Sequence, residues 1–158
     1  MSVLDARFGH VNLTASDWRR LAAFYTDVFG CELVPPERDI RGPALDAATG
    51  LRDAHLTGAH LRLPGFGANG PTLELFSYDD LAAHPGPNVA RPGLGHLAFQ
   101  VADVAAGVDA VLAAGGGRIG EVVTTATSDG RSVTWCYTSD PEGNLVELQS
   151  WSAADPDD

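Results

Sequence analysis

A Gly-His pair and a later Glu occur twice in this 158-residue chain, in the same order and among the same kinds of neighbours. The first half opens on Gly9-His10-Val11-Asn12-Leu13 and closes on Thr72-Leu73-Glu74-Leu75-Phe76-Ser77-Tyr78. The second opens on Gly95-His96-Leu97-Ala98-Phe99 and closes on Leu145-Val146-Glu147-Leu148-Gln149-Ser150-Trp151. A motif present twice implies a supersecondary unit present twice, with all else fitted around that repeat.

The residues between the motifs follow one plan in both halves. Phe8 to Thr14 alternates as a strand. Ser16 offers a helix N-cap, and Trp18, Leu21, Ala22, Tyr25, Val28 and Phe29 recur at helical spacing up to a stop at Gly30. Cys31 to Val34 reads as a short strand ended by Pro35-Pro36. Residues 37–53 read as irregular, with a short helical turn near Ala44 to Thr49. Strands follow at His55 to Leu63 and Thr72 to Tyr78, joined by a Gly-rich turn. The pattern restarts with a strand at Leu94 to Val101 and a helix capped by Asp103. Further strands are expected at Arg118 to Thr125, Arg131 to Thr138 and Asn144 to Trp151, the last two joined by an Asp140–Asn144 hairpin. The expected fold is α+β: two βαβββ modules forming a cup-shaped sheet with helices outside. The expected boundaries are 1–78 for the first module, 79–93 for a Pro-rich linker, 94–151 for the second module and 152–158 for an acidic tail.

Strand parity sorts the side chains, because alternate residues face opposite ways. His10 shares a face with Asn12, His96 with Gln100, Glu74 with Phe76 and Tyr78, and Glu147 with Gln149 and Trp151. The opposite faces are apolar and suit a covering helix. A carboxylate within an apolar strand requires a cation, a proton or a metal as partner. Two imidazoles and two carboxylates make a neutral shell for a divalent ion, so His10, Glu74, His96 and Glu147 are the candidate ligands. Ni, Co, Zn, Mn, Fe and Mg all accept such donors. His55 and His60 read as structural or rim residues, and His84 as exposed. Gly65 to Gly70 reads as a hairpin turn, since no helix follows to cradle phosphate.

Composition narrows the partners. A net charge of −11 argues against nucleic acid or an anionic membrane as the main partner. All ten basic residues are Arg, which excludes a Schiff-base lysine. Cys31 and Cys136 are expected to be buried or half-buried free thiols rather than a disulfide framework. With neither a signal segment nor a run of roughly 20 apolar residues, a cytoplasmic location is expected.

From about residue 6 to 151 the chain resembles the vicinal oxygen chelate superfamily, which includes glyoxalase I, methylmalonyl-CoA epimerase, extradiol dioxygenases and antibiotic resistance proteins. The resemblance rests on Gly9-His10 with Phe24-Tyr25…Phe29-Gly30, Leu73-Glu74-Leu75-Phe76, Gly95-His96-Leu97-Ala98-Phe99, and Asp140 to Leu148. It implies a metal inside the cup, with His10, Glu74, His96 and Glu147 at the four ligand positions in chain order. The complete His/Glu/His/Glu set is similar to bacterial-type glyoxalase I and close to the epimerases. A homodimer is also implied; whether modules are exchanged between chains is left open.

The activity this implies is that of a metal-dependent lyase or isomerase acting on a carbonyl substrate through a metal-stabilised enediolate. Glu147 would be the catalytic base by family position, and Glu74 the partner that returns a proton. Asn12, Phe76, Tyr78, Gln100, Gln149 and Trp151 would contact substrate. Two alternatives stand beside it: a small-molecule (antibiotic) binding protein, and an Fe(II)-dependent dioxygenase, which Glu74 in the second ligand position disfavours. Arg38, Arg41, Arg52, Arg62 and Arg91 are available for an anionic substrate.

Overall fold

The computed structural model describes residues 6–152; most of the expected acidic tail lies outside them. The chain divides into two compact units, one ending at Ala82 and one starting at Ala83. Among the described residues there are nine strands and three helices in two sheets, an α+β fold of βαβββ type. No helix among them is long and apolar enough to cross a membrane.

The first unit runs β1 (His10–Thr14), α1 (Trp18–Phe29), β2 (Glu32–Arg41), α2 (Pro43–Thr49), β3 (His55–Arg62) and β4 (Thr72–Tyr78). Its sheet order is β1-β4-β3-β2, with β1 parallel to β4 and the other pairs antiparallel. Helix α1 begins one residue later than its sequence suggests. Asp17, not Ser16, is the cap, its carboxylate accepting from the Arg19 and Arg20 backbone N–H groups. Gly30 ends the helix in the left-handed region at φ 70°, where a side chain would be strained. The helix buries Trp18, Leu21, Ala22, Phe24 and Tyr25. Facing it are β3 and β4, whose buried residues include Leu56, Leu61, Leu73 and Leu75. Each such leucine contributes about 2 kcal/mol of burial energy.

Strand β2 corrects the expectation of a short strand stopped by Pro35-Pro36. It continues to Arg41, with a register shift between Val34 and Arg38 that spans the prolines. As the outermost strand it needs no ladder N–H from either proline on its free side, and the shift removes the need on the other.

The second unit runs β5 (Leu97–Gln100), α3 (Val104–Ala113), β6 (Gly117–Arg118), β7 (Val123–Ala126), β8 (Ser132–Ser139) and β9 (Leu145–Trp151). The sheet order is β5-β9-β8-β6, with β7 also paired to β8. The single strand expected over Arg118 to Thr125 is therefore two. Between them, the Ile119 and Gly120 N–H groups both reach the Tyr137 carbonyl oxygen at 3.1 Å, which closes the interruption. Helix α3 is capped by Asp103 as its sequence suggests and buries Val104, Val108 and Val111. The β8–β9 hairpin is locked by buried Asp140, which accepts from the Glu142 and Asn144 backbone N–H groups and from Asn144 Nδ2, each at 2.9 Å. Cys31 and Cys136 are both buried and unpaired, and burial pushes the Cys31 thiol up to about 11 and Cys136 in the same direction.

At one end of the first sheet His55 joins three neighbours: Asp39 at 2.8 Å, Asp79 at 3.0 Å and Arg41 at 3.0 Å. Hydrogen bonds to Asp79 and then Asp39 hold its pKa above the ordinary 6.5. The folded state thus prefers the protonated ring. The stabilisation is complete below about pH 6.5 and is lost as pH rises through the raised value. Melting temperature should accordingly fall over that interval in the wild type. A His55→Gln variant should lack this component of the pH dependence, and identical profiles for the two proteins would refute the assignment.

Candidate functional site

The two units present the same His–Glu arrangement, set by strand register. Asn12 of β1 pairs with Glu74 of β4, and His10 stands two residues before it. Ala98 of β5 pairs with Glu147 of β9, and His96 stands two residues before it, just outside the strand. In each unit the imidazole faces the carboxylate: His10 Nε2 is 3.5 Å from Glu74 Oε2, and His96 Nε2 is 2.9 Å from Glu147 Oε2. Both carboxylates are mostly enclosed, 14% and 17% exposed. They alternate with core residues on either side: Leu73 and Leu75 in β4, Val146 and Leu148 in β9.

Beyond that shared pair the corners differ. Glu74 is held at both oxygens. Oε2 accepts from Asn12 Nδ2 at 3.1 Å, with the Asn12 amide itself held by Thr14 Oγ1. Oε1 lies 2.9 Å from His60 Nε2. His60 sits directly across β3 from Glu74, and its Nδ1 is 3.0 Å from Thr72 Oγ1. Burial pushes the His60 imidazole below its ordinary range, with Arg38 and His10 adding to the effect against the pull of Glu74. A neutral ring with its proton on Nε2 satisfies this network: it donates to Glu74 and accepts from the Thr72 hydroxyl. In the second unit Ala98 stands where Asn12 does, and Tyr137, across β8 from Glu147, stands where His60 does. The Tyr137 ring packs on this corner, its centroid 5.1 Å from that of His96. Among the described residues Glu147 is paired through Oε2 alone.

Of the other residues expected to touch substrate, Phe76 lies edge-on to the His60 ring at 6.3 Å. Tyr78 ends β4 opposite Leu56, four residues along from Glu74. Gln100 pairs with Gln149, whose Oε1 accepts from Trp151 Nε1 at 2.8 Å. A shallow cavity of about 310 Å³ lies against Glu147, lined also by Thr125, Val133, Trp135, Tyr137, Gln149 and Trp151. Thr125 and Val133 are not assigned to the site by sequence reasoning, and neither are His60, Trp135 and Tyr137. Hairpin arithmetic carries a signal for the last three. A turn centred on Gly67 sets residue 60 against 74, and one centred on Glu142 sets 137 against 147 and 135 against 149.

Imidazole nitrogen and carboxylate oxygen are the donors that divalent cations such as nickel, cobalt, zinc or manganese accept. The side chains present fit such an ion as pairs, His10 with Glu74 and His96 with Glu147. Among the described residues no group of three or more His, Cys, Asp or Glu side chains is arranged to hold a metal.

Solved structures with the same fold include a glyoxalase family protein from Bacillus cereus, 20% identical, covering 97% of this chain and 99% of that one with a TM-score of 0.81. A glyoxalase family protein from Enterococcus faecalis is 23% identical over 92% of this chain and 98% of its own, with a TM-score of 0.56. A glyoxalase I mutant from Zea mays is 25% identical over 94% of this chain and 45% of its own, with a TM-score of 0.60. No curated protein matches. The model of the glyoxalase/bleomycin resistance protein/dioxygenase superfamily matches residues 7–148, and to that superfamily this chain belongs.

Proposed function

We propose that the chain is a metal-dependent isomerase or lyase that moves a proton at the carbon beside a carbonyl group. The observation that carries this reading is the repeated His–Glu pair at one register step in both units, with Glu147 held by one oxygen only. His10 with Glu74 in the first unit, and His96 with Glu147 in the second, would supply the donors for a divalent cation. When bound, such an ion polarises a carbonyl and stabilises negative charge on its oxygen.

Glu147 takes the proton. A base needs a lone pair not already engaged, and its Oε1 meets that need. Glu74, fixed by Asn12 and His60, is suited to hold position and, once it has taken a proton from solvent, to return one, while Glu147 releases the proton it took. His60 orients Glu74 and, with its proton on Nε2, keeps Oε1 supplied with a hydrogen bond. A homodimer belongs to the same proposal.

The test is elemental analysis of purified protein, then calorimetric titration of the chelator-stripped chain with Ni²⁺, Co²⁺, Zn²⁺ and Mn²⁺. Stoichiometric uptake is expected, weakened about tenfold or more in His96→Ala, as for loss of a ligand or its support. Absence of stoichiometric uptake, or unchanged uptake in that variant, would overturn the metal assignment.

A further inference from the structure

The face of β7, β8 and β9 next to Glu147 is a regular grid. Tyr137 stands across from Glu147, Trp135 across from Gln149 and Val123, and Val133 across from Trp151 and Thr125. Successive rows on one face are about 6.6 Å apart along the strands, so the tryptophans lie roughly 7 and 13 Å from the carboxylate row. Both indole N–H groups are already engaged within the wall. Trp135 Nε1 donates to Thr125 Oγ1 at 3.3 Å and Trp151 Nε1 to Gln149 Oε1 at 2.8 Å. What remains for a ligand is π surface. Trp135 is braced edge-on by Tyr137 at 5.4 Å, and the Arg131 guanidinium stacks on Trp151 at 4.8 Å.

Charge decides between ligand classes. The one charged side chain lining this 310 Å³ concavity is Glu147, a carboxylate. Arg131, beside Trp151, is matched by Asp129, its Nε 2.8 Å from Asp129 Oδ2. Among the described residues a phosphate or carboxylate tail would find no uncompensated cation on this wall. An aliphatic tail would be accepted but would gain nothing from edge-to-face or stacked ring geometry. The volume suits a ligand of one or two rings, at the small end for such sites.

We infer that the part of the substrate remote from its reacting oxygens is a flat, uncharged aromatic ring seated on the Trp135–Trp151 wall, with the oxygen end toward Glu147. This deepens the isomerase or lyase reading and takes from it only the direction of the oxygen end. The ring preference belongs to the wall and exists without metal.

Three probes with a shared hydroxyketone head test it by calorimetry: α-hydroxyacetophenone, hydroxyacetone, and α-hydroxyacetophenone bearing a para-carboxylate. In chelator-stripped protein the aryl compound should bind about tenfold more tightly than hydroxyacetone, and the carboxylate should cost about tenfold. Trp151→Ala, at an exposed strand end, should reduce the ring preference to about twofold. Trp135→Leu, which keeps apolar bulk and removes the flat face, should do the same. Equal binding of aryl and alkyl probes, tighter binding of the anion, or an undiminished preference in both variants would overturn the inference. So would a second copy of the chain covering this face, seen as a dimer that dissociates on Trp151→Ala with no ring preference. Repeating the titrations with Co²⁺ separates the two readings. Ring preference without metal uptake leaves this inference standing and removes the enzymatic one; uptake without ring preference does the reverse.

Discussion

Glu147→Gln is expected to reduce turnover of a carbonyl substrate by about three orders of magnitude, within the span of a general base's contribution. The amide keeps the volume and one oxygen donor of the carboxylate, so folding and metal uptake should change little. What disappears is basicity. The carboxylate is 17% exposed and paired through Oε2 with His96, so under the proposed role Oε1 would be the reacting oxygen. Proton–deuterium exchange at the carbon beside the carbonyl checks the step directly, with elemental analysis run on the same sample. Undiminished exchange in the variant would discard Glu147 as the base. Tight ligand binding with no exchange in either protein would point instead to a sequestering role.

The largest effect on stability is expected from a single methyl group. In Gly58→Ala the new Cβ would come within 2.1 Å of the Leu75 carbonyl oxygen and 2.3 Å of Phe76 Cδ1. A phenyl ring can rotate aside, but a ladder carbonyl cannot. Gly58 lies within β3, between Arg38 of β2 and Phe76 of β4, so relief requires prising two strands apart. The cost should be about 3 kcal/mol, at the upper end for overpacking. Urea unfolding measures it as a lowered midpoint at unchanged slope. Because His60 and Glu74 face each other one row away, the same variant should also weaken the hold on Glu74. A loss below about 0.5 kcal/mol, the scale of ordinary surface changes, would contradict the close approach.

Much of this architecture is written locally and can be read without coordinates. The repeat, the alternation that leaves Glu74 and Glu147 among buried leucines and valines, the Asp103 cap and the Gly30 stop all depend on near neighbours in the chain. What escaped depends on partners. Pro35-Pro36 reads as a strand terminator because proline lacks a ladder donor; only the edge position of β2 and its register shift make the pair tolerable. The gap between β6 and β7 is closed by a carbonyl of β8, which no local pattern reveals. His60 shares a strand with His55 and looks equivalent to it. One faces Glu74 and the other faces Asp39 and Asp79, a difference fixed by the register of hairpins whose turns the sequence permits at several offsets.

Neither native thiol competes for alkylating reagents, since both are enclosed and burial disfavours the thiolate of each, with Cys31 pushed up to about 11. A cysteine engineered onto the surface therefore becomes the one fast-reacting handle, and no native position needs to be removed first. A spin label or fluorophore attached in this way beside the Trp135–Trp151 wall would report ligand uptake on an otherwise unaltered background.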